Sequence, residues 1–371
     1  MKIMLAGDVM LGRGIDQVLP HPGPADIFES HVRSALTYVK LAEARNGSIA
    51  RPVSFDYVWG DALELLEAAG PECRVVNLET AVTRRGRPEP KGINYRMTPE
   101  NLPALSAAEI DCCVIANNHV LDWGQDGLSD TIEALDTAGL AHAGAGRDHG
   151  AAAGPAVIPL RTGGRLLVYA TAHASAGVPG HWAASERRAG VALLPDLSEA
   201  SARSIAERVT DDRRPGDVVI ISIHWGPNWG YGFREEQRFA HRLIDLAGPD
   251  IVQGHSSHHP KGLEHYRGKL ILYGCGDLLN DYEGIRGHEE FHPELAVIYL
   301  AEVDRGQTCA LELLPFRIAR FRLHSASAAE ARWLANAIES NSPRLDGHKL
   351  GLVESIFGMP GVTGLAVRFH L

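Results

Sequence analysis

Short apolar runs recur along the chain, and segments with the spacing of amphipathic helices separate them. The runs are KIMLAGD, CRVVNLE, DCCVIANN, RLLVYATA, DVVIISIHW, PDIVQGH and KLILYGCGD. The helical segments include WGDALELLEAAG, LSDTIEALDTAGL, SEASARSIAERVTDD and REEQRFAHRLIDLAG, several of which end in the glycine that is common just after a helix. Alternation of this kind predicts an α/β fold.

The last part of the chain has a different pattern. From about residue 291, ELAVIYLAEV, ALELLPFRI and RFRLHSAS predict closing strands, followed by a helix over AAEARWLANAIES and a last strand over GLAVRFHL. No linker rich in Gly, Ser or Pro sets this region apart. We therefore predict one main domain over residues 1–320, with residues 321–371 as a helix and strand appendage packed on the same domain.

Composition and charge argue against several classes of protein. With 45% hydrophobic residues among 371, the chain can bury a substantial core. A net charge of −10 argues against non-specific attraction to nucleic acid or to an anionic membrane surface. The apolar stretch in MKIMLAGDVML is too short for a signal peptide, and no stretch approaches the roughly 20 apolar residues of a membrane span. Five scattered cysteines without a CxxC pair fit a reducing compartment, so we expect a cytoplasmic protein.

Polar residues with metal-binding side chains follow the apolar runs. They are Asp8 after the first run, Glu79 after the second, Asn118 and His119 after the third, His224 after the fifth, and His255 with His258 after the sixth. In an α/β sheet the carboxyl ends of the strands face one crevice, so these side chains are expected to meet. Oxygen and nitrogen donors without sulfur suit Mn, Fe or Zn, and their number exceeds the needs of one four-coordinate ion. The pattern predicts two divalent or trivalent metal ions that share a bridging carboxylate, an arrangement used for hydrolysis.

The same residues carry a resemblance to a known family. GDVMLGRGID, VVNLETAVT, ANNHVLDWG, HWGPNWGY and GHSSHHPKGLEHYRGKLILYGCGDLLND resemble, in order, motifs of the CapA family of poly-γ-glutamate capsule synthesis proteins. The fold of that family belongs to the calcineurin-like metallophosphoesterase superfamily. The resemblance implies a four-layer αββα sandwich of two mixed sheets, with a dinuclear metal site at the strand ends.

The resemblance also implies a role for each matching position. Asp8, Glu79, Asn118, His224, His255 and His258 match metal ligands, with Glu79 as the bridging carboxylate, and His119 matches the histidine that faces the leaving group. The usual D-x-H pattern is altered, because Met10 stands where a histidine is expected. The usual GHxH is one residue longer here, as GHSSH. We therefore expect the first metal site to be weaker or differently ligated.

Each of these residues also has a purely structural interpretation. Asp8 taken alone fits a turn or a helix cap, Glu79 a paired structural carboxylate, and His224 a core histidine. Their occurrence in series favours metal ligation. Asp122 is expected to hold the His119 imidazole in one tautomer for general acid catalysis.

Other polar residues near these motifs receive different assignments. His259 and His265 are not expected to bind metal. Asp277 and Asp281 are expected to be supporting or capping residues rather than ligands.

Several side chains are candidates for contact with the substrate. Arg84, Arg85, Lys91 and Arg96 lie in the loop TRRGRPEPKGINYRM, which is either a solvated loop or a clamp for phosphate or carboxylate. Arg13 is a further candidate for the clamp. Trp225 and Trp229, in HWGPNWGY, either wall a cleft or pack over the sheet.

Together these features lead to a functional hypothesis. Residues 1–320 would form the catalytic domain of a soluble metal-dependent hydrolase, in which a metal-activated water attacks a phosphoester, or an amide or γ-glutamyl bond, of an anionic small-molecule or polymer substrate. The alternative is a non-hydrolytic accessory or binding protein in the synthesis of polyglutamate or a related polymer. Met10 in place of the expected histidine keeps this alternative open.

Overall fold

The computed structural model describes residues 1–161, 163–343, 345 and 349–369, and these form 21 strands and nine α-helices. The strands are β1 (Lys2–Val9), β2 (Cys73–Leu78), β3 (Ala81–Val82), β4 (Arg96–Met97), β5 (Cys112–Val114), β6 (Ala141–Ala143), β7 (Ala145–Gly146), β8 (Ala156–Pro159), β9 (Arg165–His173), β10 (Gly190–Val191), β11 (Leu193–Leu194), β12 (Val218–His224), β13 (Ile251–His255), β14 (Leu263–Tyr266), β15 (Lys269–Leu272), β16 (Asp277–Leu279), β17 (Leu295–Asp304), β18 (Gln307–Ala319), β19 (Arg322–Ser325), β20 (Gly351–Glu354) and β21 (Thr363–Arg368). The helices are α1 (Arg13–Asp16), α2 (Leu36–Asn46), α3 (Ala62–Ala69), α4 (Pro103–Ser106), α5 (Gly124–Ala138), α6 (His149–Ala153), α7 (Glu199–Asp212), α8 (Arg234–Ala247) and α9 (Ala328–Ser340).

The fold is built on two large mixed sheets. The first has the order β20-β21-β18-β17-β1-β2-β5-β6, with β16 beside β1 and β19 beside β18. The second has the order β11-β9-β12-β13-β15-β14, with β8 beside β9. In the first sheet β1, β2, β5 and β6 run parallel, and in the second β9, β12, β13 and β15 do. The α/β class with two mixed sheets is therefore confirmed.

The two sheets pack face to face, and helices cover both outer faces. Successive strand residues point to opposite layers. On the second sheet, Val219 and Val252 pack with Phe239 of α8, whereas Ile220 and Ile251 join the core shared with the first sheet. Buried apolar residues of α3, α5 and α9 belong to that same larger core. The layers are helix, sheet, sheet and helix, as the resemblance to the CapA family implied.

The predicted helices form where the spacing of apolar residues indicated. In α8 the buried residues include Phe239, Ala240, Leu243 and Ile244, which is the one-sided stripe of an amphipathic helix. Three helices, α3, α5 and α8, end at glycines in the left-handed conformation. Helix α2 was missed, since its sequence lacks such a stripe and it lies within residues 20–56, which are rich in Pro and Gly.

The region after residue 320 extends the first sheet. Strands β19 and β21 pair with β18, and β20 pairs with β21. Ser327 and Glu330 form a capping box at the start of α9. The division at residue 320 stays a prediction, and residues 344, 346–348, 370 and 371 of the appendage lie outside the described residues.

In the part of the chain that the structure describes, none of the helices combines the length and apolarity needed to cross a membrane.

Candidate metal centre

Strands from both sheets end together at one edge of the molecule. Asp8 lies near the end of β1, and His224 and His255 are the last residues of β12 and β13. Because His224 and His255 are paired in register on neighbouring parallel strands, their side chains point to the same face. One donor atom from each of these three buried residues lies within 4.8 Å of the other two. Among the residues that the structure describes, this is the first of two groups with the composition of a metal site.

The second group contains Asp8 again, together with His258 and Asp277, whose donor atoms also lie within 4.8 Å of one another. The Nδ1 atom of His258 is 3.0 Å from Oδ1 of Asp277. The sequence pattern favoured a supporting or capping role for Asp277 over metal ligation. The signal was present, since Asp277 follows the apolar run KLILYGCG as the other polar residues follow theirs.

Buried amides connect the carboxylates of the centre. The Asn77 Nδ2 atom donates to Oδ1 of Asp8 at 2.8 Å and also to Oε2 of Glu79. Asn117 donates in turn to Oδ1 of Asn77 at 3.0 Å. Glu79 Oε1 lies 3.6 Å from Nε2 of His224, so Glu79 borders the first group without belonging to either group of three. Asn77 and Asn117 are among the polar residues that follow the apolar runs, but the sequence pattern gave neither of them a role.

Asn118 and His119 lie beside the first group. Oδ1 of Asn118 is 3.3 Å from Nε2 of His224. Nδ1 of His119 is 2.6 Å from Oδ2 of Asp122, and the ring of Tyr95 stacks on the imidazole at a centroid distance of 3.9 Å. Asp122 therefore contacts one ring nitrogen of His119, and Tyr95 covers one face of its ring.

Burial shifts the pKa values of the carboxyl groups upward. Burial, and then the nearby charge of Asp277, raises the pKa of Asp8 to about 7. Burial and the charge of Asp8 raise the pKa of Glu79 well above its usual range. A bound cation favours the ionised form of such groups, and therefore opposes these shifts.

The pKa values of the imidazoles in the first group are lowered instead. Burial lowers the pKa of His255 to about 3, and burial together with His255 places the pKa of His224 well below its usual range. Both rings are therefore neutral near pH 7, which is the state that binds metal. Burial also disfavours the charged form of His258, but Asp277 outweighs it and raises the pKa of His258. Carboxylate and neutral imidazole donors of this kind fit Mn, Fe or Zn.

Two of the expected substrate-binding residues lie beside the centre. The Lys91 Nζ atom is 2.6 Å from Oδ1 of Asp122 and 3.4 Å from Nδ1 of His119. The ring of Trp229 is 5.3 Å from that of His258 and is half-buried. A cleft of about 560 Å³ opens here, and Trp229 and Tyr282 are among its lining residues. A larger cleft, of about 860 Å³, lies at the opposite ends of the strands and is lined by none of the candidate site residues.

The arginines of the expected clamp are engaged within the protein. The buried Arg13 guanidinium pairs with Glu29 at 2.7 Å and forks onto Asp281. Arg84 and Arg85 are exposed, and their Nε atoms are 3.0 Å from carboxylate oxygens of Glu100 and Asp130 respectively. The guanidinium of Arg96 lies over the ring of Trp123, 3.8 Å from its centroid.

Trp225 packs over the second sheet. It is buried, its Nε1 atom donates to the Tyr273 carbonyl at 3.1 Å, and its ring meets Phe239 of α8 edge-on. The two interpretations left open for HWGPNWGY therefore divide between the two tryptophans: Trp225 contributes to the core, and Trp229 borders the cleft.

Relatives with substantial sequence identity are known. A probable polyglutamine synthesis accessory protein of Mycobacterium tuberculosis is 48% identical over 347 residues, covering 92% of this chain and 91% of the relative. The capsule biosynthesis protein CapA of Bacillus anthracis is 24% identical over 86% of this chain and 67% of its own length.

Solved structures show a more distant likeness. A phosphatase from Mycoplasma pneumoniae matches with a TM-score of 0.41 and 12% identity, covering 87% of this chain and 90% of that structure. A 5'-nucleotidase precursor from Thermus thermophilus matches with a TM-score of 0.47 and 13% identity, covering 85% of this chain and 54% of that one.

The sequence model of the family described as bacterial capsule synthesis protein PGA_cap matches residues 2–282, which include all the residues of the candidate centre. The chain therefore belongs to the bacterial capsule synthesis protein PGA_cap family, as the CapA-like motifs in the sequence had predicted.

Proposed function

We propose that this protein is a metal-dependent hydrolase that cleaves a phosphoester, or an amide or γ-glutamyl bond, of an anionic substrate. The observation that carries the proposal is the pair of donor groups that share Asp8, placed next to the His119 and Asp122 pair. Metal ligands alone are compatible with a structural site, but metal ligands beside an oriented histidine provide both an electrophilic centre and a proton donor.

Two metal ions would be held by residues from both sheets. Asp8, His224 and His255 form the first set, bordered by Glu79 and Asn118. His258 belongs to the second set. When bound, such ions polarise the bond to be cleaved and make water more acidic.

His119 would protonate the leaving group. Its Nδ1 atom is engaged with Asp122 at 2.6 Å, so Nε2 is the nitrogen left to exchange a proton with the substrate. Burial, and then Lys91, lower the pKa of His119 well below its usual range. His119 is therefore neutral near pH 7, and it can protonate a leaving group only after the bound anionic substrate has raised its pKa enough for the ring to take up a proton.

Lys91 and Trp229 would border the substrate. Lys91 is only partly buried and provides a positive charge next to His119. Trp229 lines the cleft and offers an aromatic surface beside His258. Arg13 would have to release Glu29 or Asp281 to reach an anion, whereas Arg84, Arg85 and Arg96 are placed to attract one from the surrounding loop.

A second candidate function is that of a non-hydrolytic accessory protein that binds an anionic polymer. It is favoured by the relative that is 48% identical, which is named as a probable accessory protein of polyglutamine synthesis. In this alternative the same centre would bind carboxylate groups of the chain without cleaving it.

Metal content and turnover, measured together, separate these functions. The metal bound per chain is measured by mass spectrometry after dialysis of the wild type and of a His224→Ala, His255→Ala double variant. Both proteins are then assayed with a chromogenic phosphomonoester, a phosphodiester and a γ-glutamyl anilide. Metal and turnover in the wild type, both lost in the variant, support the hydrolase. Bound metal without turnover on any substrate favours the accessory protein, and a wild type that binds no metal contradicts the hydrolase.

A further inference from the structure

We infer that Asp277 is a metal ligand, and that it holds the second ion together with Asp8 and His258, with Asp8 as the carboxylate that bridges the two ions. The inference rests on the proposed metal centre. It differs from the expectation from the sequence in two respects, since that expectation gave the bridge to Glu79 and left Asp277 as a supporting residue.

The backbone places Asp277 next to Asp8. Strand β16 runs parallel to the end of β1, with Asp277 opposite Asp8 in the register. The Asp8 amide donates to the Gly276 carbonyl at 3.1 Å, and the Met10 amide donates to the Leu279 carbonyl at 3.0 Å. Residues that are directly paired on parallel strands point to the same face of the sheet, so the two carboxylates project together.

Two glycines permit this close approach. A Cβ atom on Gly7 would lie 1.9 Å from the Gly276 carbonyl oxygen. A Cβ atom on Gly276 would lie 2.8 Å from the Pro260 backbone nitrogen. Gly276 thus separates the end of β1 on one side from the segment after His258 on the other, and a side chain at either glycine would push these segments apart.

The loop that carries His258 is anchored to the same place. Pro260 and Cys275 form an isolated antiparallel bridge, which fixes the segment after β13 against the start of β16. Nδ1 of His258 lies 3.0 and 3.2 Å from the two carboxylate oxygens of Asp277. Asn280 donates to Oδ2 of Asp277 at 2.9 Å and orients the carboxylate.

The two carboxylates are buried together without an adequate counter-charge. Asp8 is 2% exposed and Asp277 is 3% exposed. Among the described residues their only ion-pair partners are histidines, His255 for Asp8 and His258 for Asp277, and neither carboxylate pairs with a lysine or an arginine. Like charges buried side by side are costly unless a cation lies between them.

The assignment also accounts for Met10. This residue stands where the sequence motif led us to expect a histidine, and its soft thioether is a poor donor for a hard ion such as Mn²⁺. Asp277 provides a hard oxygen donor at the neighbouring strand end instead. The second set then has two carboxylates and one imidazole, whereas the first has two imidazoles and one carboxylate. We therefore expect the second set to favour Mn²⁺ and the first to accept Zn²⁺ or Fe²⁺.

A competing interpretation is that Asp277 only accepts a hydrogen bond from His258, while His258 binds the metal through Nε2. Carboxylates in that role tune affinity, and their loss typically weakens metal binding by about 10–100-fold without removing the site. In the structure Nε2 of His258 is 3.0 Å from Nδ2 of Asn228, so this nitrogen already has a partner.

The first experiment compares the Mn²⁺ content of three dialysed proteins at saturating free Mn²⁺. These are the wild type, Asp277→Asn and the control Asp16→Asn. Asp16 is a buried carboxylate bound by Thr98 and Asn101, and it lies outside both donor groups. We expect about two equivalents in the wild type and the control, and about one in Asp277→Asn. Circular dichroism checks that each variant is folded.

A second variant gives a spectroscopic signature that does not depend on stoichiometry. In Asp277→Cys, a thiolate bound to Co²⁺ would add a near-ultraviolet charge-transfer band that the Co²⁺-loaded wild type lacks. We expect that band, because only a side chain in direct contact with the ion produces it.

The outcomes separate this inference from the proposed function. If Asp277→Asn keeps the metal content of the wild type, or if Asp277→Cys binds Co²⁺ without the band, Asp277 is not a ligand and the proposed hydrolase still stands. If the wild type itself binds no metal, both proposals fail.

Discussion

The Nδ1 atoms of His224 and His255 lie 2.8 Å apart, although 31 residues separate them in the chain. Parallel pairing of β12 with β13 puts the two imidazoles side by side, and a Ser222 hydroxyl 2.9 Å from Nε2 of His255 fixes the second ring. At this distance one Nδ1 donates and the other accepts, so the two rings cannot both be charged. Their lowered pKa values agree with this requirement.

The stability of the metal-free protein should pass through a maximum slightly below neutral pH. The pKa values of His224 and His255 are lowered on folding, so the stability that these neutral rings contribute is lost as the pH falls below about 6.5. The pKa values of Asp8 and Asp122 are each raised to about 7, chiefly by burial, so the stability that their protonated forms contribute is fully present at low pH, is lost progressively as the pH rises from about 4 to 7, and is absent above that range.

Urea unfolding in the presence of a chelator, at about pH 5, 6.5 and 8, measures this dependence. Adding Mn²⁺ should stabilise the protein more at the highest of these pH values, because metal binds ionised carboxylates. Asp8→Asn should reduce the loss of stability at high pH and also the gain from Mn²⁺. A stability that rises steadily from pH 6.5 to 8 in chelator would contradict the prediction.

Replacement of the proposed general acid should separate catalysis from metal binding. We expect His119→Ala to lower kcat by about 10²–10⁴-fold while the metal content stays at the wild-type value, because His119 belongs to neither donor group. The matched control is His173→Ala, since His173 is the last residue of β9 and bonds Ser175 outside the centre. Equal losses of turnover in the two variants would argue against a specific role for His119.

The close approach of β1 to β16 should be sensitive to a single methyl group. Gly7→Ala places a Cβ 1.9 Å from the Gly276 carbonyl oxygen, so we expect a loss of about 1–3 kcal/mol in the free energy of unfolding and weaker metal binding. Gly180→Ala is the control, because a Cβ at Gly180 meets no atom within 4 Å. Chemical denaturation and Mn²⁺ titration of both variants test this, and a Gly7→Ala protein with wild-type metal affinity would show that the approach is not required.

The two tryptophans of HWGPNWGY should behave differently. Trp225 is buried against Phe239, so Trp225→Ala should cost about 3–5 kcal/mol of stability. Trp229 borders the cleft, so Trp229→Ala should raise KM and change stability by less than about 1 kcal/mol. Thermal unfolding and steady-state kinetics on the substrate found active distinguish them. A large loss of stability in Trp229→Ala would show that Trp229 stabilises the fold, as Trp225 does.

Much of the fold could be predicted because its signals are local. The apolar runs became β1, β2, β5, β9, β12, β13 and β15, and the segments with helical spacing became α3, α5, α7, α8 and α9. Period-two and period-3.6 patterns depend only on which face of an element is buried, so they can be read without knowing the partner. The sequence of helix α2 shows no amphipathic stripe, so this helix was not predicted.

The candidate site was predictable to a similar extent and for a related reason. Asp8, His224, His255 and His258 each follow an apolar run, and parallel strands bring their carboxyl ends to one edge. The sequence by itself therefore determined which elements form and which polar side chains end them. The sequence could not show which charged residues of the long loops are free to contact a substrate. An arginine with an ion-pair partner and one without look the same in a sequence.

Only the tertiary structure decided which of these side chains meet. In the folded protein Arg13 pairs with Glu29 and Asp281, and Lys91 pairs with Asp122. Asp277 lies opposite Asp8 in the strand register. Each of these contacts joins residues at least 16 positions apart in the chain. The contact of Asp277 with Asp8 also depends on strand register and on the close approach that Gly7 and Gly276 allow. Register and close approach are properties of packed neighbours, and for that reason no local pattern in the sequence encodes them.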